Sequence, residues 1–190
     1  IVLKLSSAKP ANRDEHFNFY TAVENLSLAA QIPMPKLYVI DSPAMNAFAT
    51  GRDPEHAVIC VTSGLLKNLD RTELEGVIAH EISHITNFDI RLMMIVAVLV
   101  GMITIVSDWL LRLGRIGFSD DDNKKANPIT MAAGLIAVIV SPIAAKLIQL
   151  ALSRKREYLA DATAVKLTRQ PEGLINALKK LGQSPVPLRT

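Results

Sequence analysis

Apolar residues recur every three or four positions through residues 14–30, where Phe19, Ala22, Val23, Leu26, Ala29 and Ala30 share a stripe. That spacing predicts an amphipathic helix with one buried face. Pro33 and Pro35 end it. Residues 36–40, 46–49 and 57–61 are short β-forming runs set apart by Asp41-Ser42-Pro43 and Thr50-Gly51-Arg52-Asp53-Pro54. Turn chemistry of that kind between short runs predicts a small antiparallel or mixed sheet. A short helix is expected over 63–69. Thr72 then reads as an N-cap, with Glu75 completing a capping box, and one helix follows over about 73–91. Two apolar blocks dominate the second half. Residues 92–111 are apolar apart from Asp108 and a few neutral residues, and residues 126–145 carry no charge, with 147–153 extending the block. A bilayer core needs about 20 mostly apolar residues in helix. The bland alternative is a hairpin buried in a soluble protein, but so short a chain has little with which to wrap two helices apolar on every side. A transmembrane helical hairpin is therefore expected. A helix continues from about 147 through Arg154-Lys155-Arg156 to 166. Pro171 opens a last amphipathic helix, striped by Leu174, Ala177, Leu178 and Leu181 and stopped by Gly182.

Composition narrows the classes. At 190 residues the chain suits one domain with a real core. A net charge of only +3, with 5% aromatics and no basic stripe interleaved with them, excludes a nucleic-acid footprint. The single cysteine, Cys60, has no internal partner and lies in the apolar run Val58-Ile59-Cys60-Val61, so a buried strand residue is expected. A start at Ile1 and an unpatterned end at 185–190 look like cuts in a larger protein, or processing.

The chemistry lies in His80-Glu81-Ile82-Ser83-His84. On a helix, positions i and i+4 sit one turn apart on one face, so both imidazoles can reach one ion. Zinc takes imidazole nitrogen readily, and a catalytic site keeps one position for water. Glu81 is placed to bond that water. Val77, Ile78 and Ile85 supply a separate packing face.

Two histidines make a poor zinc site, so a third ligand is required. His16, His56, Asp89, Glu157 and Asp161 are the candidates. His16 and His56 are more simply solvated. Asp89, five residues beyond His84, turns away from the metal-facing side of a continuous helix and suits an ion pair or a helix end. Glu157 and Asp161 are one turn apart on a predicted helix. The first could ligate while the second accepts a proton from a ligand imidazole; the competing reading is an exposed carboxylate pair beside a basic cluster. Two crossings between His84 and Glu157 return the chain to its starting side, so the helices bearing them can meet. Charges flanking the expected spans favour a cytoplasmic site only slightly.

Asn46-Ala47-Phe48-Ala49-Thr50-Gly51, Val61-Thr62-Ser63-Gly64-Leu65-Leu66, the run from Glu73 through His84, and Ser153-Arg154-Lys155-Arg156-Glu157-Tyr158-Leu159-Ala160-Asp161 together resemble the HtpX-like family of membrane zinc metallopeptidases, relatives of the CAAX prenyl proteases. The resemblance runs from about 46 to 181. It implies one Zn2+ per chain at His80, His84 and Glu157, with Glu81 as base. It also implies a mainly α fold with a small β-sheet, of zincin type, a cytoplasm-facing site in the bacterial inner membrane, and work in quality control of membrane proteins. Family members usually carry a further apolar hairpin before the catalytic part. The expected organisation is a catalytic domain in two parts, 1–91 and 151–190, with transmembrane helices at 92–111 and 126–150 and a loop at 112–125.

Asn46, Ala47 and Phe48 would then border the cleft, since an exposed strand edge can add a substrate peptide through backbone groups. Arg156 and Tyr158 are candidates to stabilise the oxyanion. The partners expected are polypeptides, unfolded or from membranes, and the lipid bilayer. Two rivals are a catalytically inactive membrane scaffold or holdase that kept the fold, and a transporter subunit with an ion site in its spans. An intact Glu81 beside intact ligands speaks against the first. Only Asp108 within the spans speaks for the second.

Overall fold

The structure is a computed structural model that describes residues 8–116, 142–150 and 153–183. Two compact units emerge, Ile1–Arg91 with Arg154–Thr190 and, separately, Leu92–Ser153.

In the first unit, β1 (Lys9–Pro10) precedes helix α1 (Phe17–Ala30), then β2 (Lys36–Ile40), β3 (Ala47–Thr50), a 3-10 turn (Pro54–His56) and β4 (Val58–Thr62). Helices α2 (Ser63–Asn68) and α3 (Arg71–Thr86) follow directly. Helices α5 (Arg154–Thr168) and α6 (Pro171–Gln183) complete the unit. The sheet is mixed and ordered β1-β2-β4-β3. β2 and β4 pair in parallel, with Leu37 opposite Ile59, while β3 and β1 add antiparallel strands at the two edges. The fold is thus mainly helical with a small mixed sheet.

Helix α3 is the centre. It packs against α1, α5, α6 and β3, and its Leu74, Val77, Ile78, Ile82 and Ile85 are buried with Phe19, Val23 and Leu26 of α1 and Ile59 and Val61 of β4. Each such side chain removed from water contributes about 1.5–3 kcal/mol. Between α3 and α6 the backbones touch: a Cβ on Gly76 would come within 2.6 Å of the Leu174 nitrogen, and one on Gly173 within 2.5 Å of the Thr72 carbonyl oxygen. Lys180 of α6 also reaches the buried Glu73 at 2.6 Å.

Three expectations are corrected. The capping box of α3 is Asp70 with Glu73, not Thr72 with Glu75: Asp70 accepts the Glu73 N–H, and Glu73 accepts the Asp70 N–H. The helix expected over 73–91 breaks after Thr86. Phe88 adopts a left-handed φ of 57°, uncommon for a bulky side chain, and a new helix, α4 (Asp89–Ile116), starts at the next residue. Finally, α5 begins at Arg154 and Ser153 is not helical, so no helix runs unbroken from 147 to 166.

Helix α4, which enters the second unit at Leu92, supplies over Asp89–Val106 the one stretch among the described residues long and apolar enough to cross a bilayer, with mean hydropathy 2.3. Val98, Ile105 and Trp109 along α4 are exposed. Of the second span expected at 126–150, residues 126–141 lie outside the described residues, and 142–150 are helical. The loop expected at 112–125 lies outside them from residue 117 onward, as do both chain ends, 1–7 and 184–190.

Candidate metal centre

The buried stripe of α3 faces the sheet and α1, which leaves His80 and His84 on its remaining face, opposite α5. Their Nε2 atoms lie 3.2 Å apart. Glu157 Oε2, delivered by the first turn of α5, is 3.6 Å from the first and 3.8 Å from the second. His80, His84 and Glu157 thus converge within ligating distance of a common point.

The opposite ring nitrogens explain why these three atoms meet. His84 Nδ1 is 2.9 Å from Asp89 Oδ2 in a hydrogen bond. His80 Nδ1 is 2.9 Å from Asp161 Oδ1, an ion-pair contact off the straight N–H line. A neutral imidazole carries its proton on one nitrogen, and a carboxylate acceptor selects which one. Both Nδ1 atoms face carboxylates, so both Nε2 lone pairs face each other and the Glu157 oxygen. Three electron-rich atoms crowded together call for a cation between them. Zinc–ligand bonds of about 2.0–2.1 Å in a tetrahedron put ligand atoms roughly 3.4 Å apart, close to the separations found here. The donor set and its spacing fit a zinc ion.

Glu81 sits beside this cluster, its Oε2 accepting the backbone N–H of Ala49 at 2.8 Å. Burial pushes its carboxyl up to about 7, opposed by the charge of His84 and the Ala49 hydrogen bond and reinforced by Glu157. Because Ala49 belongs to the edge strand β3, its N–H points out of the ladder. By the two-residue period of an antiparallel pair, Ala47 presents its backbone outward as well. Phe48 pairs with Cys60 of β4. Asn46 lies just before the strand, with its N–H on the Thr62 hydroxyl at 3.0 Å and its carbonyl accepting the Thr62 N–H.

The remaining candidates lie as follows. Tyr158 is exposed on α5. Arg156 meets Asp89, its Nε 3.6 Å from Oδ1. Cys60 is fully buried in β4, and burial raises its thiol to about 11. His16 takes the N-cap position of α1 and contacts Asn12. His56 meets Asp53 at 2.6 Å in a surface group that also contains Glu55. There Arg52 already provides the cation, 3.0 Å from His56 and 3.1 Å from Asp53. A cavity of about 690 Å³ between β1, α1 and the start of α3 touches none of the residues around His80 and His84.

Asp89 does enter an ion pair, with Arg156, and does stand at a helix end, but a continuous helix would have turned it away from His84. The break at Asn87-Phe88 swings it back onto His84. The signal was faint: an Asn five residues before the apolar block, with no Gly or Pro to force a stop.

The chain also resembles known proteins. The model of peptidase family M48 matches residues 18–184. A protein named "Protease HtpX homolog" from Streptococcus uberis is 47% identical over 189 residues, covering 97% of this chain and 64% of the relative. One of the same name from Dictyoglomus turgidum is 49% identical over 189 residues, covering 100% of this chain and 62% of its own length. The chain therefore spans less than two thirds of these curated relatives. The crystal structure of S. mikatae Ste24p superposes with a TM-score of 0.55 over 95% of this chain and 44% of that one, at 24% identity, a likeness of fold.

Proposed function

The chain belongs to peptidase family M48, and from that premise we propose that it is the catalytic part of a membrane-bound, zinc-dependent endopeptidase. His80, His84 and Glu157 hold one Zn2+ per chain, and Glu81 is the general base. The carrying observation is the convergence of two Nε2 lone pairs and a carboxylate oxygen, each imidazole backed by its own acid. The alternative of an inactive scaffold has no use for a base held beside such a cluster.

A bound zinc ion would supply an electrophile that polarises the scissile carbonyl and acidifies a water. Glu81 takes the proton of the attacking water as its oxygen bonds to the carbonyl carbon. It returns that proton to the amine as the C–N bond breaks. A carboxyl raised by burial suits both halves of that exchange near neutral pH. Asp161 and Asp89 keep the ring protons on Nδ1 throughout. The open edge of β3, at Ala47 with Asn46 and Phe48 beside it, receives the substrate as an added strand, through backbone groups that make little demand on sequence. Tyr158, exposed beside Glu157, is free to reach the oxyanion, whereas Arg156 is engaged with Asp89.

The substrates we propose are unfolded or membrane polypeptides. Residues 1–91 and 151–190 form the catalytic part on the cytoplasmic face of the inner membrane. Residues 92–111 and 126–150 cross the bilayer as a hairpin joined by 112–125. Detergent-solubilised protein incubated with unfolded casein tests the activity. Cleavage is expected to stop with chelator, to return with zinc, and to fall by about 10²–10⁴ in Glu81→Gln. Undiminished cleavage by that variant removes Glu81 as base; none by the wild type removes the peptidase.

A further inference from the structure

Arg156 is built unusually for a structural arginine. Its side chain is only 15% exposed, and Asp89, its partner, is 8% exposed. Among the described residues both terminal guanidinium nitrogens are buried without a hydrogen-bond partner. Among those residues its one charged contact runs through Nε, at 3.6 Å. A buried cation so sparsely partnered adds little to stability, because desolvation offsets most of the attraction. A reason for keeping it must lie in what Asp89 does.

Asp89 holds the Nδ1 side of His84. As the first residue of α4 it also meets the positive end of that helix. Its two oxygens are divided: Oδ2 serves His84 and Oδ1 faces Arg156. Helix α5 therefore contributes twice to one centre, through Glu157 directly and through Arg156 by way of Asp89. We propose that Arg156 is a positioning residue for the metal centre, acting through Asp89 to fix the imidazole of His84 and so to set how tightly the cluster holds its cation. This rests on the metal-centre reading above. Without the guanidinium, the carboxylate has one fewer partner to hold its orientation. His84 then loses a fixed acceptor, and its ring is free to rotate or to present the protonated nitrogen to the ion.

The test is zinc affinity, measured by competition with a chromophoric chelator on the full chain, stripped of metal and kept in detergent. Wild type is expected to bind one equivalent, and His80→Ala to lose it. Arg156→Met and Asp89→Asn are each expected to bind about 10–100-fold more weakly. The double variant should be no weaker than the weaker single one, because both lie on one path. A Co2+-loaded sample provides a second readout, since its visible bands report ligand geometry, and those of Arg156→Met should move as those of Asp89→Asn do. Should Arg156→Met fail to fold, Arg156→Gln carries the same comparison. Affinity within about two-fold of wild type, or losses that simply add in the double variant, overturns the role of Arg156 and leaves the centre standing. Binding that survives in His80→Ala overturns the centre itself.

Discussion

Glu81 and Ala49 are joined by a hydrogen bond of 2.8 Å, from the edge-strand N–H to the carboxylate. The proposed base is thereby fastened to the same strand that is proposed to receive the substrate, so strand position and proton transfer share one geometry. The bond does not offset the burial around the carboxyl, which stands at about 7 against an ordinary 4.5.

That displacement has a signed consequence for the metal-free protein. Between 4.5 and about 7 the folded state holds a proton that the unfolded chain has released, so stability falls as pH rises through that window and is lower above it. The difference amounts to as much as about 3 kcal/mol. Glu81→Gln carries no such charge. Chelator-treated wild type is expected to lose melting temperature relative to Glu81→Gln as the pH is raised from 5 to about 8. Parallel melting curves for the two across this range would contradict a buried, proton-holding Glu81.

Gly76 marks where α3 and α6 lie backbone to backbone. An alanine there would set its methyl carbon 2.6 Å from the Leu174 nitrogen and 2.9 Å from the Gly173 carbonyl carbon, and neither neighbour is a flexible side-chain tip. Alanine is better than glycine in a helix by about 1 kcal/mol, but overpacking of this kind costs about 1–3 kcal/mol. Gly76→Ala is expected to unfold at lower urea concentration than wild type. A raised midpoint would mean that the helices stand further apart.

The apolar exterior of α4 has its own test. Val98, Ile105 and Trp109 are more than half exposed, and exposed apolar surface costs about 25 cal/mol per Å² against an apolar medium. A bilayer removes that cost. The chain is expected to stay with membranes through alkaline carbonate and to be released by detergent. Release by carbonate alone would count against a span.

How much of this was legible depended on range in sequence. His80, Glu81 and His84 could be placed because four residues of helix fix their relation, whatever the rest of the chain does. The strands at 36–40 and 57–61 were legible within a residue of β2 and β4, since β-branched runs between turn residues leave few options. Two overlapping boxes occupy Asp70-Arg71-Thr72-Glu73-Leu74-Glu75, and local pattern offers no choice between them. Packing gives a reason: Thr72 lies against Gly173 of α6, within the helix. The turn at Phe88 was illegible because a phenylalanine rarely takes a left-handed φ, and only tertiary structure holds it there. With it went the place of Asp89.

Glu157 is where the local and the distant meet, and it can be separated from the fold. Its side chain is 62% exposed, so removing it disturbs little packing, and exposed substitutions usually change stability by within about 0.5 kcal/mol. As a ligand, by contrast, it supplies the only anionic oxygen among the three donors at the cluster. Glu157→Ala is therefore expected to melt as the wild type does when both are metal-free, and to lose the rise in melting temperature that zinc gives the wild type. Stabilisation by a ligand follows its concentration over Kd, about 2.7 kcal/mol at 100 times Kd, so a weakened site shows directly as a missing shift. A zinc-dependent rise of the same size in Glu157→Ala would mean that the two histidines find their third ligand elsewhere, and the proposed assignment of α5 to the centre would fall.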